Sequence, residues 1–343
     1  MAVTLDIFNQ DAFGTTELTD YINRQPFIPT FLKDMGLFEQ TPVRTTTIWV
    51  EVKDGAIALI PTSKRGTPIF QNEKQKRSAV PLETLRLAKA DRVTADELQN
   101  IRAEGKAEET KEVQLEISDR LETINGDMDL TTENLMLGAV QGILVDADGS
   151  TVITSFYDTF GITQATEINF DLLNASPAKG ALKTACRGVV RAMQKAGKGA
   201  FTPSTEIVGL CGDNFFDAFV AHVEVEGNSN AHADAMRLGE EFKAYGAVRF
   251  GNITWVNYRG TDDGSTVSIG TDSVKFFPKG ARGVFKLAQA PAETFDYVNT
   301  RGLPRYARII PDKDRNEYAD VEVMSYPLPY CTRPEMLLRG RKA

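Results

Sequence analysis

The 343-residue chain is poor in the residue types that most catalytic and metal sites draw on. It has only two histidines, His222 and His232, three cysteines, Cys186, Cys211 and Cys331, and two tryptophans. Two histidines with no cysteine at metal-ligand spacing argue against a zinc site. Three widely spaced cysteines argue against a disulfide framework and suit a reducing cytoplasm. No stretch approaches the ~18 consecutive apolar residues of a membrane span, so none is expected. The opening MAVTLDIFNQDAFG lacks a basic start followed by an apolar run, so no secretory signal is expected either. GxSxG, GxGxxG, HExxH and paired CxxC patterns are all missing.

Near-matches to functional motifs have plainer readings. Gly197-Lys198-Gly199 lacks the GxxxxGK[ST] frame of a phosphate loop and reads as the end of a helix. Asp146-Ala147-Asp148-Gly149 lacks the third oxygen ligand and distal glutamate of a calcium loop and reads as a hairpin turn. Cys211, between two glycines in a strand-like run, reads as a small core residue rather than a nucleophile. His222 reads as a satisfied helix residue and His232 as a surface one. No cofactor is expected.

Composition is that of an ordinary globular protein, with 42% hydrophobic and 25% charged residues. The chain is long enough for about two domains at roughly 150 residues each. Its net charge of −8 is unevenly placed. Residues 1–43 hold 2 basic and 6 acidic side chains, 44–92 hold 10 and 5, 93–150 hold 4 and 14, and the remainder 23 and 22. A basic segment therefore precedes a strongly acidic one. Two readings fit this split: two solvated faces of one monomer, or a basic arm lying on the acidic segment of a neighbouring copy. The second joins unlike surfaces and so propagates into rings or shells. The acidic total argues against general nucleic-acid coating, which runs on phosphate neutralisation.

Local patterns predict an α+β chain with a mostly antiparallel sheet. Residues 1–43 read as an irregular apolar arm punctuated by Pro26, Pro29 and Pro42. TTTIWVEVKDGAIALIP (45–61) reads as a hairpin around Asp54-Gly55. Residues 61–81 read as a long basic loop carrying Lys64, Arg65, Phe70, Lys74, Lys76 and Arg77, and 82–93 as partly strand-like. Thr94 to Glu97 is a capping box, opening a helix to about Ile124 that is interrupted near Gly105. Val113, Ile117, Leu121 and Ile124 form its apolar stripe. Glu108, Glu109, Glu112 and Glu116 mark its acidic, solvated face. A second helix is expected over 131–142, a hairpin around Asp148-Gly149, and a helix starting at Ser176-Pro177 and ending at Gly197. A buried strand is expected at 206–212, helices over DNFFDAFVAHV and AHADAMRLGEEFKAYG, and a hairpin around Gly251-Asn252. Strands are expected near 273–277, 283–288, 306–310 and 318–324.

The order of several segments carries a resemblance. They are Pro26-Phe27, Phe31-Leu32 and Phe38; Gly55, Leu59, Pro61, Arg65-Gly66, Pro68 and Pro81-Leu82; VTADELQNIRA (93–103); GILVDADGSTV with FYDTFGI (156–162); and the tail ARIIPDKDR with VEVMSYPLPYCTRPEMLLRGR. Over about 300 residues the chain resembles the major capsid proteins of lambda-like tailed phages, the capsid protein E family, with the Hong Kong 97-type fold. The resemblance implies an N-terminal arm (1–43), an extended loop (44–92), a peripheral domain with a long spine helix (93–169 and 290–320) and an axial domain (170–289 and 321–343).

It further implies a subunit that assembles with itself, as hexamers and pentamers, into an icosahedral head. The head would form in the host bacterial cytoplasm as a procapsid and expand around double-stranded DNA without sequence-specific binding. Partners implied are a scaffold protein on a separate chain, a portal and a decoration protein; no membrane is involved. Intersubunit contacts are expected from loop residues Lys64, Arg65, Phe70, Lys74, Lys76 and Arg77 and arm residues Phe27, Phe31 and Phe38. Some relatives crosslink a loop lysine to an asparagine. The lambda-like group does without this; Lys64, Lys74 and Lys76 would be the candidates. The alternatives are an encapsulin-type compartment shell and a cytoplasmic enzyme with a dispersed site.

Overall fold

The computed structural model describes residues 14–24, 30–53, 77–98, 106–227, 246–260, 267–315 and 317–343. Helix α1 (Thr15–Arg24) and the single turn α2 (Phe31–Asp34) precede strands β1 (Glu39–Pro42), β2 (Thr47–Lys53), β3 (Arg77–Glu83) and β4 (Leu87–Thr94). A short turn α3 (Ala95–Leu98) and the long helix α4 (Lys106–Gln141) follow. The middle of the chain holds β5 (Ile143–Val145), β6 (Val152–Ser155), α5 (Phe156–Phe160), β7 (Ile168–Asn169), α6 (Ala181–Gly197) and β8 (Glu206–Cys211). After these come α7 (Asp213–Val220), α8 (Val223–Glu226), β9 (Ala247–Phe250) and β10 (Ile253–Asn257). The last part is strand: β11 (Ser273–Lys279), β12 (Phe285–Gln289), β13 (Tyr306–Pro311), β14 (Tyr318–Ser325), β15 (Pro327–Cys331) and β16 (Leu338–Arg341).

The chain divides into two compact units. The first comprises residues 1–48, 82–134 and 287–329; the second comprises 49–81, 135–286 and 330–343. In the first unit, β13, β14 and β4 form an antiparallel sheet. Its core joins Val93, Ala307, Val321 and Val323 to Val113, Ile117, Leu121, Ile124 and Met128 of α4, with Leu18 and Ile22 of α1. The predicted α4 stripe is therefore its buried face.

The second unit is built on a six-stranded mixed sheet in the order β7-β16-β11-β8-β10-β9. Three of its pairings are antiparallel, while β10 lies parallel to β8 and β16 parallel to β7. Phe170, Phe215, Phe219, Trp255 and Phe276 interlock beneath it, Phe219 stacking on Trp255 at 4.2 Å. Trp255 satisfies its indole N–H on the Phe250 carbonyl at 3.1 Å, as a buried tryptophan requires. The β9–β10 turn at Gly251 and Asn252 has φ of +64° at both residues, the backbone that a tight hairpin with matching strand twist demands.

Three expectations need correction. The arm is not wholly irregular: 15–24 is helical, because Leu18 and Ile22, one turn apart, bury against the first unit's core. Thr19 fixes this helix to β13, donating its hydroxyl to the Ala307 carbonyl at 3.2 Å and accepting from the Ala307 N–H at 3.1 Å. The two helices expected between 94 and 142 are instead the short α3 and one continuous α4 of 36 residues. Gly126 does not break α4, and the Thr131 and Thr132 hydroxyls fold back onto the carbonyls of Asp127 and Met128, both at 2.7 Å. Helix α6 starts at Ala181, not at Ser176-Pro177, after Gly180 at φ +81°. Its first N–H groups, on Leu182 and Lys183, are taken by the Glu224 carboxylate at 3.3 and 3.2 Å, a cap 41 residues away. The helix expected over AHADAMRLGEEFKAYG and the second strand of the Asp54-Gly55 hairpin lie outside the described residues.

Candidate assembly interface

The segment resembling an arm is held to the first unit by charge as well as by apolar burial. Phe31 and Leu32 of α2 are buried at 8% and 0% exposure, and Phe38 is half-buried. The Leu32 N–H donates to Glu133 Oε1 of α4 at 2.8 Å. The Lys33 ammonium donates to Asp129 Oδ1 at 3.0 Å, and the Arg305 guanidinium meets the same oxygen at 2.5 Å. Arg305 also reaches Asn125 Oδ1. One carboxylate of α4 thus anchors a cation from α2 and a cation from the start of β13. Burial draws the Lys33 ammonium below its ordinary pKa and the Arg305 guanidinium below its own, with Asp129 opposing both shifts.

A second cluster fixes the junction of β4, α3 and α4. The capping box is formed as expected: Thr94 N–H donates to Glu97 Oε2 at 3.0 Å and Glu97 N–H to Thr94 Oγ1 at 3.4 Å. Arg120 donates to Glu97 at 3.0 Å, to Glu116 at 3.0 Å and to the Arg92 carbonyl at 2.7 Å, and pairs with Asp91 at 3.2 Å. Glu116, expected on a solvated acidic face, is therefore engaged by Arg120 one helical turn away.

The other expected contact residues are placed less fully. Glu108, Glu109 and Glu112 lie on α4, and Arg77 opens β3. Lys64, Arg65, Phe70, Lys74, Lys76 and Phe27 lie outside the described residues. Sequence reading missed Asp129 and Arg305 altogether. The available signal was a charged residue on the apolar side of a helix, one position after the buried Met128. It also missed two exposed apolar side chains of the first unit, Leu115 at 64% and Phe295 at 98% exposure.

The candidates for chemistry are inert in this setting. Cys211 is fully buried, and desolvation pushes its thiol well above the usual range. His222 caps α8, its Nδ1 accepting the Glu224 N–H at 3.3 Å. Asp148 accepts from the N–H groups of Ser150 and Thr151 at 2.9 and 2.8 Å, so its carboxylate serves its own turn. Hydrogen bonds from Thr151 and Ser150 hold it well below the usual carboxylate range. Among the described residues no group of three His, Cys, Asp or Glu side chains could hold a metal.

The sequence pattern that decides the matter is continuous. A family model for phage major capsid protein E matches residues 14–342. The chain belongs to that family. The major capsid protein of Salmonella phage Felix O1 is 25% identical over 358 residues, covering 96% of each chain. That of Pseudomonas phage KPP10 is 23% identical over 352 residues, covering 97% of this chain and 98% of the relative. A prophage capsid protein from E. coli CFT073 superposes with a TM-score of 0.61 over the full length of both chains at 12% identity. The capsid subunit of cyanophage A-1(L) gives 0.50 over 93% and 94% at 12% identity. The α+β fold is thus the Hong Kong 97-type capsid fold. A member of the phage major capsid protein E family is a structural protein of the virion shell and not an enzyme. Among the described residues no helix is long and apolar enough to cross a membrane.

Proposed function

We propose that this subunit builds the icosahedral head of a tailed double-stranded DNA phage, first as a procapsid on a separate scaffold protein and then as an expanded shell. The single observation that carries the reading is the family match across residues 14–342. In this reading 1–43 is the arm, 44–92 the extended loop, 93–169 with 290–320 the peripheral domain, and 170–289 with 321–343 the axial domain. Loop residues Lys64, Arg65, Phe70, Lys74, Lys76 and Arg77 reach a neighbouring subunit, and the acidic side chains Glu108, Glu109 and Glu112 are their electrostatic counterpart. Phe27 and Phe38 anchor the arm at the same boundary, while Phe31, buried in its own subunit, fixes the base of the arm. Hexamers and pentamers form the shell, with a portal at one vertex and a decoration protein outside. The charge split between 44–92 and 93–150 supports the pairing of loop and acidic helix, because a heterologous contact of this kind propagates.

The test is deletion of residues 62–78. Sizing chromatography and negative-stain electron microscopy should show shells or capsomers with the intact chain. The deleted chain should remain a folded, soluble subunit that forms neither. Normal shells from the deletion would remove the loop from the assembly mechanism.

A further inference from the structure

Helix α6 presents a row of cations that nothing in the described chain neutralises. Lys183, Arg187, Arg191 and Lys195 recur every fourth residue and are all exposed. At 1.5 Å rise per residue the row runs about 18 Å along one helix face. The helix itself contains no acidic residue. Among the described residues, none of the four makes an ion pair. Acids meet α6 at its ends: Glu224 on its first N–H groups, and Glu335 at 3.6 Å from Lys198.

A second row runs beside the first. Thr184, Gly188 and Ala192, also four apart, are exposed and small. Among the described residues nothing requires glycine at 188. It lies mid-helix, where glycine weakens a helix relative to alanine, and a Cβ built on it would meet nothing within 4 Å. The opposite face carries Leu182, Cys186, Val189 and Met193, all buried, so packing there and the Glu224 cap hold the helix without help from the cation row. Among the described residues nothing fills this space, which leaves room for a ligand to approach the helix backbone closely.

The composition of the face selects the partner. It consists of lysine, arginine, threonine, glycine, alanine and glutamine, with no exposed aromatic or large aliphatic residue. The buried core of a stable protein–protein interface is enriched in apolar and aromatic residues, which this face lacks. A linear polyanion needs only regularly spaced cations and room to come near. We propose that the α6 face of this capsid subunit binds the phosphate backbone of duplex DNA, without reading its sequence. This goes beyond a shell that merely encloses its genome and rests on the reading of the contents as double-stranded DNA. It gives a subunit of net negative charge a local, salt-sensitive point of contact with them.

The experiment uses the full chain in unassembled form, a fluorescent 20-base-pair duplex and anisotropy titrations over a range of salt. Four phosphate contacts give a slope of log affinity on log salt of about −3.6, or about a 150-fold loss between 50 and 200 mM. The Arg187→Gln/Arg191→Gln double variant should lose affinity and show only about a 12-fold loss over the same range. Gly188→Leu keeps all four cations but fills the small row; it should weaken binding several-fold and leave the slope unchanged. Circular dichroism and thermal midpoints check that both variants are folded. No binding by the intact chain, or equal slopes for the intact chain and the double variant, would overturn the proposal. So would a double variant that binds DNA normally but forms no shells, which would assign the row to subunit contacts. Because the assay needs no shell, failure to bind DNA leaves the assembly reading standing, and failure to assemble leaves binding measurable.

Discussion

Arg305 Nη2 and Asp129 Oδ1 lie 2.5 Å apart, buried in the first unit, although 176 positions separate them in the chain. Asp129 is one turn before Glu133, which holds the Leu32 N–H, and it also receives Lys33. The carboxylate is the pivot on which arm, long helix and strand β13 agree. Asp129→Ala is expected to destabilise the fold by about 3–5 kcal/mol, because it strands buried cations that shared one anion. Urea denaturation of the unassembled subunit measures it. A change below about 1 kcal/mol would mean the pair acts like a solvated surface bridge.

Gly142 ends α4 at φ +83°, and a Cβ there would sit 2.5 Å from the Tyr157 ring. Both the left-handed backbone and the clash oppose any side chain. Gly142→Ala is expected to cost at least about 1–3 kcal/mol, read as a lowered thermal midpoint. Gly149→Ala is the control: its φ is also positive, at +70°, but its Cβ would meet nothing within 4 Å. It should carry only the backbone part of that cost.

The three cysteines are all buried. Desolvation pushes the thiols of Cys186 and Cys331 up to about 12, and that of Cys211 well above its ordinary value. Since the thiolate is the reactive form, a chromogenic disulfide reagent at pH 8 should find no reactive thiol in the native subunit and three after denaturation. Rapid labelling of the native protein would contradict this packing.

Glu293 accepts from Arg86 and, at 3.0 Å, from the Tyr326 hydroxyl. These hydrogen bonds, Arg86 first, hold its carboxyl below the ordinary 4.5. A carboxylate depressed in the fold contributes stability that is present above its unfolded pKa and lost as pH falls through the folded one. The thermal midpoint should therefore fall as pH drops below about 4.5, and Glu293→Gln should shrink that fall while lowering stability at neutral pH. An identical acid profile in the variant would show that other carboxylates carry the transition.

Local signals were legible because they act on the backbone within one or two turns. The stripe Val113, Ile117, Leu121 and Ile124 has helical period, and it is the buried face of α4. The Thr94–Glu97 box and the turn residues Asp148-Gly149 and Gly251-Asn252 declare themselves by side-chain reach and by tolerance of positive φ. The spacing of Lys183, Arg187, Arg191 and Lys195 was equally readable, but it gains meaning only once the buried face of α6 is known.

The amino-acid order alone determined the α+β character, the main strands and turns, and the run of segments by which the chain resembles its capsid family. Tertiary structure alone decided where α6 begins, since its cap is Glu224, and that residues 15–24 form a helix docked on β13 through Thr19. It likewise decided the parallel pairing of β10 with β8 and the meeting of Arg305, Asp129 and Lys33. The physical reason is range. Periodicity, capping boxes and turn glycines are settled by neighbours a few residues away, whereas a distant cap, a strand partner or a buried counter-charge exists only after the chain has closed on itself.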